Sequence, residues 1–177
     1  RVGLKKMSNL MKMSNLIDRS HIVSQHNTLI NASYLLSLTE QRIIVLAIAK
    51  ARREGISLDT NIYISVSAEE YKECFPVEKQ AGYKALKEAS ENLFKRRFSY
   101  RKIDENNKEN RIMSHWIQSV KYIEEEGRLE ILFTYEVLPY ITELKNNFTS
   151  YLVGEISELT SFYSIRLYEI LSAWKGV

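Results

Sequence analysis

Pro76 parts two helical segments and leaves room for only a short turn between them, a spacing that restricts the fold more than any other feature of the chain. Ser67-Ala68-Glu69-Glu70 reads as a capping box, in which a hydroxyl and the carboxylate three residues on each take a free backbone N–H. The helix it opens must stop at Pro76, because proline has no N–H to give and clashes with the preceding turn. A second helix is predicted from about Glu78 to Lys95, with Gly82, Leu86, Ala89 and Leu93 as its buried stripe. Alternation from Phe98 to Lys102, a polar loop from Asp104 to Asn110 and a long strand from Ile112 to Ile123 then predict a hairpin. Two helices joined by a tight turn and followed by a hairpin is the layout of a winged helix, an α+β fold. In that fold the second helix enters the major groove of DNA and the hairpin flanks the backbone.

The flanking segments fit around this unit. Asn27 to Tyr34 reads as a short helix, and Ser37-Leu38-Thr39-Glu40 as another capping box opening a helix to about Arg53. Ile43, Ile44, Ala47, Ile48 and Ala51 recur at helical spacing there, and Gly55 is placed to end it. Ile62 to Val66 predicts a strand. Beyond the hairpin, Glu126-Gly127 turns the chain into a strand with Leu129, Ile131 and Phe133 on one face. Tyr135 to Leu144 is predicted helical despite Pro139, and Phe148 to Val153 is ambiguous. Ser161 to Trp174 is predicted as an amphipathic helix with Phe162, Ile165, Leu167, Tyr168 and Leu171 on its apolar side.

Composition excludes several functions. A length of 177 residues suits one domain with part of a second. No apolar run approaches the roughly 18 residues of a membrane span, and Arg1 to Leu16 lacks the apolar centre of a signal peptide. Lys6 to Leu10 is echoed by Lys12 to Leu16, so residues 1–21 are expected to be a disordered or tag-derived segment. Cys74 is the single cysteine, which excludes an intrachain disulfide and a cysteine-based metal site and fits the cytoplasm; beside Phe75 it reads as a buried, inert thiol. His21, His26 and His115 show no metal-ligand spacing, and no glycine-rich phosphate loop is present. A nicking enzyme would need a metal-binding histidine pair near its nucleophilic tyrosine. A binding protein without cofactors is therefore expected, not an enzyme.

Net charge is only +3, but it is unevenly distributed. Lys79 to Lys102 holds eight Lys/Arg against Glu88 and Glu91, whereas Ile123 to Thr160 holds eight Glu against Arg128 and Lys145. Such a molecule has one region that attracts polyanions and one that repels them. On the basic helix, Lys79, Gln80, Tyr83, Lys84 and Lys87 occupy the N-terminal half, the part of a recognition helix that reaches base edges. Lys84 and Lys87 are expected to matter most there, as phosphate contacts. Lys95, Arg96 and Arg97 lead into Arg101 and Lys102 on the predicted wing, and Lys108 and Arg111 lie across its loop. These would neutralise phosphates, which supplies affinity but little sequence reading. Pattern alone does not separate this reading from an ordinary surface helix laced by pairs such as Lys84–Glu88 and Lys87–Glu91.

Longer strings add to the pattern. Asn27-Thr28-Leu29-Ile30-Asn31-Ala32-Ser33-Tyr34, with Leu38 to Arg42 after it, resembles the opening of the replication initiators of iteron-containing bacterial plasmids. Tyr83 to Lys87, Leu93 to Phe98, Trp116 to Tyr122, Phe148 to Tyr151, Ile156 to Thr160 and Tyr163 to Leu171 resemble later blocks of that family, in order and without large gaps. The resemblance implies two winged-helix domains, with 22–155 as the first. It makes 156–177 a linker and the opening helix of a truncated second domain. It also implies double-stranded DNA with origin direct repeats as the ligand, homodimers that repress the protein's own promoter, and host helicase and initiator as partners. A winged-helix transcription regulator, or a dimerisation and host-factor module that touches no DNA, are the alternatives.

Overall fold

The computed structural model describes residues 16–58 and 61–176. The chain enters as β1 (Ile22–His26), passes through one helical turn, α1 (Asn27–Ile30), and the two-residue β2 (Ser33–Tyr34), then forms the long α2 (Leu38–Glu54). After β3 (Ile64–Ser67) come α3 (Ala68–Cys74) and α4 (Lys79–Leu93). Four strands follow: β4 (Arg97–Ile103), β5 (Glu109–His115), β6 (Ile117–Ile123) and β7 (Arg128–Phe133). β8 (Phe148–Leu152), a single turn α5 (Val153–Ile156) and α6 (Phe162–Lys175) complete the described fold. No helix among the described residues is long and apolar enough to cross a membrane.

Both capping boxes form as the sequence predicts: Ser37 and Glu40 on α2, and Ser67 and Glu70 on α3, exchange side-chain and backbone hydrogen bonds. Gly55 ends α2 in the left-handed conformation, at φ 64°. Every position of α2 from Glu40 to Ala49 is buried, so this helix is a central rod with protein on all sides, and the five-residue stripe read from spacing understates its burial. Its buried polar residues make long-range contacts, although Gln41 Oε1 and Arg42 Nε find no partner among the described residues. Arg42 donates to the Leu159 carbonyl at 3.1 Å, and Lys50 meets the nearly inaccessible Glu70 carboxylate at 2.7 Å. Cys74 is buried, and burial with Glu70 nearby pushes its thiol up to about 12, as expected of an inert group.

Helix α2 packs on β1 and β3, and the strands form three antiparallel sheets, in the orders β1-β8, β2-β4-β5 and β3-β7-β6. The last of these joins the strand before the helix pair to the hairpin that packs on α4. The wing position therefore belongs to β6–β7, and the hairpin read as the wing from sequence, β4–β5, is a separate projection pairing with β2. The continuous strand expected from Ile112 to Ile123 breaks at Trp116. That residue is buried, and the chain changes sheets there, with β5 pairing to β4 and β6 pairing to β7.

Other expectations also change. Asn27 to Tyr34 is helical for one turn only, because Ser33 and Tyr34 pair with Ser99 and Phe98. Tyr135 to Leu144 forms a single 3-10 turn, Leu138–Tyr140, and Glu143 then takes φ 51° and ends any helical run. Phe148 to Leu152 resolves as a strand, pairing with Ile22–His26.

Residues on both sides of the expected domain limits are packed in this structure. The repeat at Lys6 to Leu10 and its echo to Asn15 lie outside the described residues, but 16–21 are folded: Ile17 is buried and its N–H donates to Glu70 at 3.1 Å. At the other end α6 packs on α1 and β8, with Ile165 and Glu169 inaccessible. In this structure it is part of the same core, with no break at 155/156. Leu167 and Leu171, expected on its inner side, are 57% and 56% exposed because Glu169 takes the inner position.

Candidate nucleic-acid interface

Helix α4 follows from its sequence closely. The buried positions are Gly82, Leu86, Ala89 and Leu93, the stripe predicted from spacing. Gly82 lets α4 approach α3, since a Cβ there would stand 3.3 Å from the Ala68 carbonyl oxygen. The opposite side presents Lys79, Gln80, Lys84 and Lys87 to solvent, with Tyr83 partly covered.

The neighbour of that exposed side is acidic. Glu124, Glu125 and Glu126 form the turn between β6 and β7, and all three are exposed. The turn ends at Gly127, at φ 55°, where a Cβ would collide with the Tyr83 ring. This close approach brings the turn against α4, and Lys87 Nζ donates to Glu124 at 2.9 Å. The hydrogen bond and charge of Glu124 hold the Lys87 ammonium above its ordinary pKa. Lys84 faces Glu88 one turn on, at 3.7 Å. The two lysines expected to lead phosphate contact thus each have a carboxylate partner, and one of those partners sits in a cluster of three.

Arg96 is a structural residue. Its Nε and one terminal nitrogen grip both oxygens of Glu40 at 2.8 and 3.1 Å, and Glu40 is the buried carboxylate that caps α2. A two-pronged guanidinium–carboxylate contact of this kind fixes the end of α4 to the start of α2. Arg96, expected among the phosphate contacts, is thus engaged with Glu40 in this structure.

Apart from Lys79, which opens α4, the remaining predicted cations collect on or beside the β4–β5 hairpin. Residues directly opposite in an antiparallel pair share a face. Arg97 stands opposite His115, Ser99 opposite Met113, and Arg101 opposite Arg111. Phe98 and Tyr100, which alternate with them, point into the core. Lys102 lies on the alternate face opposite Asn110, and Lys108 follows the loop closed by Asp104, whose carboxylate takes the backbone N–H of Asn106 and Lys108. These bonds keep Asp104 below the usual carboxylate range. Among the described residues Lys79, Lys95, Arg97, Lys102, Lys108 and Arg111 have no carboxylate within salt-bridge distance, while Arg101 meets Glu109 at 3.1 Å.

Sequence reasoning missed the other wall of this region. A groove of about 860 Å³ runs between the outer face of β2-β4-β5 and α1, lined by Arg101, Arg111, Ser33 and Ser99 on one side. His26, Asn27, Thr28, Asn31 and Asn147 line the other. Asn147 arrives through the pairing of β8 with β1, which also seats its carbonyl on the Asn27 N–H at 2.6 Å. No local signal joins residues 120 positions apart, and only the strand pairing reveals them as neighbours.

Four known relatives or families resemble this chain. The family model for initiator replication protein, WH1, matches residues 22–172, which includes α6. A crystal structure of the MSBI1.176 WH1 domain, a replication protein isolated from a multiple sclerosis patient, is 41% identical. The match covers 64% of this chain and 86% of that one, with a TM-score of 0.53. The Pi initiator protein, solved in complex with iteron DNA, is similar in fold at TM-score 0.72 and 24% identity, over 89% of this chain and 65% of that one. An uncharacterized 27.6 kDa protein of Escherichia coli is 26% identical over 160 residues, which is 86% of this chain and 66% of that protein. The chain thus spans about two thirds of the length of two of these relatives.

Proposed function

This chain belongs to the initiator replication protein family, which it matches along the WH1 domain, and from that premise we propose that it serves plasmid DNA replication as the first winged-helix part of an initiator. Its ligand is double-stranded DNA carrying the direct repeats of an origin. It acts by binding, with no reaction of its own, in the cytoplasm. The observation that carries this reading is the match from 22 to 172, supported by the unpaired cations on and around the β4–β5 hairpin and by the iteron DNA bound to the Pi initiator. Phosphate neutralisation by these side chains supplies most of the affinity, so binding is weak and strongly dependent on salt.

A mobility-shift titration tests it, using an origin fragment with direct repeats against the same length of scrambled DNA. The expected result is a shift that favours the repeats and weakens by at least about tenfold between roughly 50 and 200 mM salt. No shift on either DNA rejects the reading.

The same proposal includes two assembly states: monomers that occupy the repeats alongside host helicase and initiator, and homodimers that repress the protein's own promoter. Light scattering on the concentrated chain is expected to give the mass of a dimer. A monomer at every concentration removes that part.

A further inference from the structure

We infer that duplex DNA is held at the groove between the β4–β5 hairpin and α1, with Arg101 and Arg111 as its phosphate clamp, and not along the exposed side of α4. This deepens the proposed function and rests on it.

The first ground is charge that the fold leaves uncompensated. Arg101 and Arg111 are direct cross-strand partners on one face, and like charges so placed repel. One carboxylate, Glu109, meets Arg101 and none meets Arg111 among the described residues; Glu109 is 58% exposed, so its hold on Arg101 is the weak hold of a surface pair. An anion between the guanidinium groups removes the repulsion. The planar fork of arginine suits the two oxygens of a phosphodiester.

The groove behind them adds neutral donors without opposing charge. Its lining contains no Asp or Glu. Asn27, Asn31 and Asn147 bring side-chain amides. His26 accepts the Thr28 N–H at Nδ1, at 3.1 Å, which leaves the proton of the neutral ring on Nε2 as a further donor. Uncharged donors of this kind bond phosphate and sugar oxygens and set the register of a duplex.

The second ground is independent and concerns α4. From Arg97 to His115 the chain carries five Lys/Arg against three Asp/Glu, whereas from Ile117 to Phe133 it carries two against four. A strand of DNA laid on α4 would meet the three carboxylates of the Glu124–Glu126 turn, and its phosphates would compete with Glu124 for Lys87. On the basic hairpin a phosphate competes with Glu109 for Arg101, and Arg111 has no carboxylate within salt-bridge distance among the described residues.

Duplex titrations followed by fluorescence anisotropy, on Arg101→Ala/Arg111→Ala and Lys84→Ala/Lys87→Ala, separate the two faces. Both pairs are exposed, and circular dichroism with thermal unfolding checks that each variant folds. The arginine pair is expected to lose about tenfold or more in affinity, with the slope of log K against log salt reduced by about 1.8 for two lost phosphate contacts. The lysine pair should stay within about threefold of the parent at the same salt. Arg101→Lys/Arg111→Lys, which keeps both charges, should retain the salt slope and lose affinity only in part. Loss in the lysine pair with the arginine pair unchanged, or equal loss in both, overturns the groove assignment and leaves the proposed function standing. Absence of binding by the parent chain overturns both.

Discussion

Replacing Trp116 by alanine is expected to destabilise the chain by roughly 3–5 kcal/mol, the range for deleting a buried aromatic side chain. Trp116 is 1% exposed and sits where the chain leaves the β2-β4-β5 sheet for the β3-β7-β6 sheet. Its ring meets Tyr34 edge-on at 4.9 Å and Phe98 at 5.0 Å, so the cavity left by alanine opens where three elements converge. Its backbone carries the joint as well, donating to the Arg96 carbonyl and accepting from Thr134. The indole Nε1 hydrogen, however, finds no acceptor among the described residues. Trp116→Phe removes that unpaired donor while keeping an aromatic face, and is expected to cost roughly 2 kcal/mol or less. Urea denaturation of the two variants checks both values. A phenylalanine variant as unstable as the alanine one would mean that the indole edge is bonded in solution.

The elements that depend on neighbours in sequence were legible, and those that depend on distant pairing were not. Ser37 with Glu40, and Ser67 with Glu70, satisfy their own helix ends, and Pro76 acts on the turn before it, so each signal is complete within four residues. The α4 stripe is likewise readable from its period. Which hairpin flanks α4 is decided by β3 pairing with β7, two strands more than 60 positions apart, and chain order pointed to the wrong one because β4 and β5 are the strands that directly follow α4. The same limit hid the groove. Arg101 and Arg111 were visible as cations, but His26, Asn27, Asn31 and Asn147 gain significance only once β1 and β8 are paired. The partner of Arg96 was hidden for a related reason. A guanidinium in a basic run reads as a phosphate contact until its carboxylate, 56 residues earlier, is brought to it. On α6 apolar periodicity placed Phe162 and Ile165 inward correctly but misplaced Leu167 and Leu171, because the next inner position makes a polar contact through Glu169.

That polar contact carries the second large effect: Arg166→Ala is expected to cost about 3–5 kcal/mol at neutral pH, the price of stranding a buried charge. The Arg166 guanidinium donates to the Tyr34 hydroxyl and to the carbonyls of Ile30 and Ala32, and stands 3.6 Å from Glu169. Glu169 is inaccessible, held by Gln25 at 2.7 Å, Tyr151 at 2.9 Å and Gln41 at 3.2 Å. Burial raises its pKa above the ordinary 4.5, and Arg166 is the first of the groups that pull it back down. A folded value above the unfolded one means that the native state binds the extra proton. Stability attributable to Glu169 is then fullest below the unfolded pKa and falls as pH rises through the folded one. Removing Arg166 raises the folded value further, and protonation of Glu169 relieves much of the damage. The loss in Arg166→Ala is therefore expected to be large near pH 8 and clearly smaller near pH 5, and Glu169→Gln should flatten the pH dependence. Denaturant unfolding of the parent and both variants at the two pH values decides it. An Arg166→Ala loss that is the same at both would show that the guanidinium matters for the carbonyls of Ile30 and Ala32 and not for the carboxylate of α6.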